Sequence, residues 1–282
     1  MPAPQATAMS QLARLKFTSF NLKVPQNWRD PQGDPDADHY KNAFADNEKV
    51  AAPGMPPLFQ PATMNKYHVD SQKMHIAKIG KFIDDVTKAI CSAWGQWQAL
   101  ASMTGLIITG PLVAGGQIVG PPLGPLMLKD MPMETPNLQK YSNVIASVIG
   151  DGWTKFVKTV LVPPPGLPFF PAYALCPSPQ AIPVPNAPLP FAQLFQVPVT
   201  ISAALLKQEM VTKLGDPQAP FHKELFESFA DAFEKTYNLW KVTCIITKLM
   251  PTLAPVPSMM TPVPVPGPVV GGQALMMPGG FT

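Results

Sequence analysis

Ionised side chains are scarce in this 282-residue chain: Asp, Glu, Lys and Arg make up 14%, against a usual share of about 25%. The net charge is +3 and no run of Lys and Arg is present, which leaves nucleic-acid binding through a basic patch unsupported. Cysteine is also sparse. Cys91, Cys176 and Cys244 are far apart, odd in number and without a C-x-x-C, which argues against a disulfide framework and for a reducing place of synthesis. The N-terminal residues lack the continuous apolar stretch of a secretory signal. The expectation is synthesis in the cytoplasm without a signal peptide.

The motifs of common chemistries are missing as well. There is no G-x-S-x-G, no phosphate-binding G-x-x-x-x-G-K and no G-x-G-x-x-G. The histidines are His39, His68, His75 and His222, none at zinc-like spacing from Cys or His. Asp84 and Asp85 are adjacent on a predicted helix, so they point to different faces and do not converge on one substrate. Asp-Pro-Asp-Ala-Asp at 34–38 has the start of a calcium loop, but His39 replaces its glycine and Ala45 its glutamate. Cys176 lies among prolines without a nearby histidine. The expectation is that the chain is not an enzyme and carries no cofactor and no metal.

Proline is abundant, with 37 residues, beside 19 Gly and 15 Met. At roughly 13% it far exceeds the average near 5%. Pro and Gly at this density suggest disorder, yet the same segments are rich in Leu, Val, Ile and Phe, which disordered chains lack. Three long stretches hold no charged side chain: 89–128, 159–206 and 249–282. Their prolines forbid a continuous membrane helix, and an open extended backbone is not tolerated in lipid. They are expected to be straps buried against protein.

Apolar residues at three- and four-residue spacing predict helices over 70–104, 137–160 and 221–249, with a further one over 199–214 stopped by Gly215. Asp70 and Asn137 are the expected N-caps. Each of the three principal helices ends in an aromatic pair: Trp94 with Trp97, Trp153 with Phe156, and Tyr237 with Trp240. Each pair lies at i, i+3 on one face, and each is followed by a Pro-rich strap. Gly110-Pro111-Leu-Val-Ala-Gly115-Gly116-Gln117 is echoed by Gly267-Pro268-Val-Val-Gly271-Gly272-Gln273.

The sequence therefore predicts a mainly α fold with extended Pro/Gly-rich straps, irregular or in short β, as three pseudo-repeats in a pseudo-threefold arrangement. The expected segments are an extended N-terminal arm over 1–60, repeat 1 over 61–136, repeat 2 over 137–190, an inserted helix over 191–220 and repeat 3 over 221–282. The six aromatics are expected to anchor straps to helices, with indole N–H groups meeting carbonyls that prolines leave unpaired. The strap residues Gly110, Pro111, Gly115, Gly116, Pro183, Pro185, Asn186, Gly267, Pro268, Gly271 and Gly272 are expected to face a partner.

Phe170-Pro-Ala-Tyr-Ala-Leu-Cys176-Pro-Ser-Pro, followed by Ile182-Pro-Val-Pro-Asn186-Ala-Pro-Leu-Pro190, resembles the "C-x-P … P-x-P-x-P-N" stretch of PAAR-like proteins. Those proteins sharpen or decorate the spike of phage tails and contractile injection machines. The Gly-Asp and His patterns of the metal-bound tips are absent here. The resemblance implies a structural component near a spike, baseplate or tube, within a virion or a secreted injection particle. The partners it implies are other subunits of a large assembly, with a trimeric spike among them. The second reading is a membrane-active pore or lysis protein that uses the uncharged segments; an enzyme of unrecognised type is a third.

Overall fold

The computed structural model describes residues 3–22, 66–109, 112–169, 187–251 and 272–282. Six α-helices and seven strands form in these segments. The first helix, α1 (Ala6–Ser19), lies where an extended arm is predicted. It forms because Met9, Ala13 and Phe17 recur every four residues and are buried.

The second helix, α2 (Lys66–Leu100), takes in the expected cap Asp70 as an interior residue. It stops short of 104 because residues 102–109 form a strand. After a short helix α3 (Leu123–Leu128), the long helix α4 (Pro136–Val157) is capped by Thr135, not by Asn137. The Thr135 side chain accepts from the Leu138 N–H at 3.2 Å, and Pro136 fills the first turn, where no N–H is needed. A 3-10 turn (Pro198–Ile201) precedes α5 (Ala203–Leu214), which ends at Gly215 in the left-handed conformation, φ +62°. The last helix, α6 (His222–Thr243), also ends earlier than expected, because Cys244 turns extended and a strand follows.

The straps are where the fold departs most from expectation. They form one five-stranded antiparallel sheet of β1 (Ser102–Thr109), β2 (Leu112–Val119), β3 (Val162–Pro168), β6 (Leu249–Pro251) and β7 (Gly272–Met276), ordered β3-β2-β1-β7-β6. A small separate pair joins β4 (Leu189–Pro190) to β5 (Ile245–Ile246). The protein is thus mixed α and β, not mainly α with straps. The reason lies in where the prolines fall. The runs 102–109, 112–119 and 272–276 contain none and have strand length, so they supply the central strands. The prolines of β3 and Pro251 of β6 sit in the two edge strands, where a missing N–H is tolerated.

Among the described residues the pseudo-threefold arrangement is not found. Among the described residues the first strap gives two neighbouring strands and α3, the second gives edge strand β3, the short strand β4 and 3-10 turns, and the third gives β6 and β7. The described ends of the echoing sequences flank the same strand, with Gln117 opposite Thr104 and Gln273 opposite Ile107. They are related by pairing to β1, at different registers, and not by a rotation. One continuous apolar core, drawn from all of the predicted segments, joins sheet and helices.

Candidate functional site

The three aromatic pairs meet in one hub. Trp94 of α2 lies 4.8 Å from Trp153 of α4 and 5.5 Å from Trp240 of α6, ring centre to ring centre. Trp97 meets Trp153 edge-on at 4.9 Å, and Phe156 meets Tyr237 at 5.1 Å. All six rings are buried. Each such contact contributes about 0.5–1.5 kcal/mol beyond the area it buries.

The hub also touches the straps. Phe191 packs on Trp240 at 4.9 Å, and Phe281 stacks on Trp97 at 5.8 Å and 17°. Gly120 passes so close to Trp97 that a Cβ there would lie 2.7 Å from Nε1. The polar ends of the aromatics do not behave as expected. Trp240 Nε1 donates to Gln98 Oε1 at 3.1 Å, and the Tyr237 hydroxyl donates to Gln196 Oε1. The buried indole N–H groups of Trp94 and Trp153 meet no hydrogen-bond partner among the described residues. Rings surround them, and an unmet buried donor costs about 1–3 kcal/mol, which the burial of large rings offsets.

Of the strap residues expected to face a partner, Gly115 and Gly116 lie inside β2 at φ +74° and +82°, and Gly272 opens central strand β7. A Cβ on Gly116 would lie 2.4 Å from Leu106 Cδ2, so this glycine serves the hairpin itself. Gly110, Pro111, Pro183, Pro185, Asn186, Gly267, Pro268 and Gly271 lie outside the described residues. So do His39, Cys176 and most of the stretch that resembles PAAR-like proteins.

The sheet has two unlike faces. Met103, Leu106, Ile108, Val113, Ile118, Val162, Ala274 and Met276 point into the core. The alternate residues face outward, with Ile107 58% and Val119 50% exposed. Ile107 lies between Ala114 on β2 and Gln273 on β7, and Thr104 lies opposite Gln117. No strand of this sheet carries an ionisable side chain. Among the described residues the ion pairs lie on the helices and the turns joining them: Arg14–Asp84, Lys16–Glu227, Lys140–Asp216, Lys155–Glu209 and Lys213–Asp151 among them. The outward sheet face is therefore neutral and partly apolar, while the helical surface is charged.

Among the described residues no three of His, Cys, Asp and Glu are grouped to hold a metal ion, and no helix is long and apolar enough to cross a membrane. Cys91 and Cys244 are buried, and burial pushes both thiols up to about 12. His222 opens α6 with Nδ1 2.5 Å from the Ala219 carbonyl. Asp84 and Asp85 do face apart. Asp84 accepts from Arg14 Nε at 2.8 Å, Arg14 Nη2 at 2.6 Å and the Ser10 hydroxyl, whereas Asp85 pairs with Lys81. The Arg14 hydrogen bonds hold the Asp84 carboxyl below its usual range.

Two structurally important residues escaped the sequence reading. Gln98 joins α2, α6 and the chain near Phe281, donating to the Phe281 carbonyl at 2.9 Å. Its signal was a polar residue one turn from Trp94 on an aromatic face. Arg14 was hidden because its partner lies 70 residues away and α1 was not foreseen as a helix. No protein-family model, no curated protein and no solved structure matches this chain.

Proposed function

We propose that the chain is a non-catalytic structural subunit that packs into a large protein assembly through the neutral outer face of its sheet. The observation that carries this reading is the segregation of charge. Ile107, Val119 and their neighbours present partly apolar, uncharged surface to solvent, and exposed apolar patches mark interaction sites. A face without ionised groups can be covered by protein without desolvating charges.

The kind of assembly follows from the residues at 170–190, whose resemblance to PAAR-like proteins favours a phage tail or contractile injection particle, at its spike, baseplate or tube. The partners are other protein subunits. The deciding experiment replaces Ile107 and Val119 together by Lys. The circular dichroism and melting point stay near those of the parent, since exposed substitutions cost about 0.5 kcal/mol or less. Incorporation into the particle, or self-association of the purified chain, falls at least about thirtyfold, the equivalent of ~2 kcal/mol for unpaired charge at an interface. Undiminished association of the double variant would refute the assignment of this face. A parent chain that sediments as a monomer and enters no particle would refute the assembly.

A further inference from the structure

The outer face of the sheet carries a projection and a hollow side by side. Along β1 the inward residues include Met103 and Leu106, and the pairing with β7 slips between them. Thr104 and Gly105 therefore both face out, followed by Ile107. Ile107 projects with only the small Ala114 opposite it on β2. Gly105 has φ +71°, and a Cβ there would meet nothing within 4 Å. On β2, Gly115 has φ +74°, and its Cβ position comes no closer than 3.7 Å to the Gly105 carbonyl oxygen. The left-handed φ favours glycine at both positions, and the result is a hollow floored by bare backbone, where another surface can approach closely.

Ile107 and Gly105 are two residues apart on one strand, ~7 Å. A two-fold axis through the face midway between them, over Leu106, carries Ile107 of one copy onto Gly105 of the other, and the reverse. One face thus supplies both halves of the contact, as an isologous interface requires. Facing sheets pack ~10 Å apart, a gap that a branched side chain fills when it meets backbone and overfills when it meets its own kind. The outward polar residues Thr104, Gln117 and Gln273 bear hydroxyl and amide groups, each both donor and acceptor, so they match their own copies too. Five strands at ~4.8 Å and up to eight residues at ~3.3 Å give a face of about 600 Å². Two copies bury about 1,200 Å², the lower end of the range for specific interfaces. Each molecule carries a net charge of +3, yet the strands that meet hold no ionised group.

We propose that the partner on this face is a second copy of the chain, docked sheet to sheet about a two-fold axis, with Ile107 of each copy seated over Gly105 and Gly115 of the other. This rests on the assembly reading and specifies its first contact.

The test mixes two full-length variants. Ile107→Ala removes the projection; Gly105→Asn fills the hollow with a residue that tolerates positive φ. Both sites are exposed in the single molecule, so both variants melt near the parent. In sedimentation equilibrium each variant alone pairs at least about thirtyfold more weakly than the parent, because its dimer loses two central contacts. The equimolar mixture recovers: Ile107 of one variant meets the open Gly105 of the other, and the shortened side chain meets the filled hollow. Its dissociation constant returns to within about tenfold of the parent's. A mixture no tighter than the separate variants overturns this docking, and so does undiminished pairing of both variants alone. A parent that enters a particle yet stays monomeric at ~1 mM sinks the second copy and leaves the assembly reading standing. A parent that pairs, and is rescued as described, but enters no particle sinks the assembly reading alone.

Discussion

Gly150 of α4 packs backbone to backbone against Gly124 of α3 in the protein's interior. A Cβ on Gly150 would lie 2.6 Å from Gly124 N and 2.7 Å from Gly124 Cα. Both targets are backbone, so no rotamer change relieves the contact. Reaching an ordinary separation requires α3 to withdraw by about 0.8 Å, and a gap of that size forfeits a quarter to a half of each dispersion contact it opens. The residues that would lose contacts are Leu123, Leu126 and Met127, all buried. Overpacking of this kind costs about 1–3 kcal/mol. Against it stands a gain of about 1 kcal/mol from replacing a helical glycine by alanine.

Gly95 of α2 isolates the clash. It is also a helical glycine, but its added Cβ would meet only the Ala3 methyl at 3.2 Å, outside any regular element. Gly95→Ala and Gly150→Ala share the propensity gain, so the difference between them reports the helix crossing: about 1–3 kcal/mol. At about 2–4 °C per kcal/mol for a domain of this size, Gly150→Ala should melt roughly 2–12 °C below Gly95→Ala in far-ultraviolet circular dichroism. Equal melting temperatures would show that α3 does not rest on α4 as described.

Three further outcomes are expected. Asp84 and Glu227 are held below the usual carboxylate range by hydrogen bonds from Arg14 and from Lys16 and Lys207; their support of α1 is present above about pH 4 and lost as pH falls through the lower native values. A disulfide reagent that works in acid, normalised to free cysteine, should find Cys91 protected above that range and increasingly reactive below it; protection unchanged to pH ~2 would rule this out. Gln98→Leu strands the Trp240 N–H and the Phe281 carbonyl, so the urea midpoint should fall by the equivalent of about 2–6 kcal/mol, and a midpoint within error of the parent would refute the bridge. With thiols pushed to about 12, Cys91 and Cys244 should alkylate about a thousandfold more slowly than an exposed cysteine at pH 8, and stoichiometric labelling by mass spectrometry within minutes would contradict their burial.

The helices of the core were legible because their stripes are long and aromatic. Val144, Ile145, Val148, Ile149, Trp153 and Phe156 recur on one face of α4 and are all buried, and the apolar period of α6 is as clear. The sheet was not legible, because proline and glycine counts taken over whole stretches hide the short proline-free runs within them. Ser102–Thr109 also abuts a helix with no Gly or Pro between the two, so the change from period 3.6 to period 2 had no punctuation. α1 was masked by the same averaging, since it shares its flank with prolines and its stripe is only three residues deep. The aromatic pairs were read as three separate anchors. That they form a single hub depends on how helices far apart in sequence cross, which spacing alone does not encode.

The proline placement bears on how such a sheet could associate. An open sheet normally offers two edges, each a row of unpaired N–H and C=O groups on which another strand can add. Here one edge is β3, in which Pro163, Pro164, Pro165 and Pro168 remove the N–H donors, and the other is β6, three residues long and ending in Pro251. Lateral growth is blocked at one side and brief at the other. The inner face is consumed by the helical core. Among the described residues the sheet offers its neutral outer face around Ile107, which has no ladder to extend and no charge to desolvate. A sheet with proline-blocked and short edges and a neutral face favours face-to-face packing over fibre-like addition, in keeping with the proposed role.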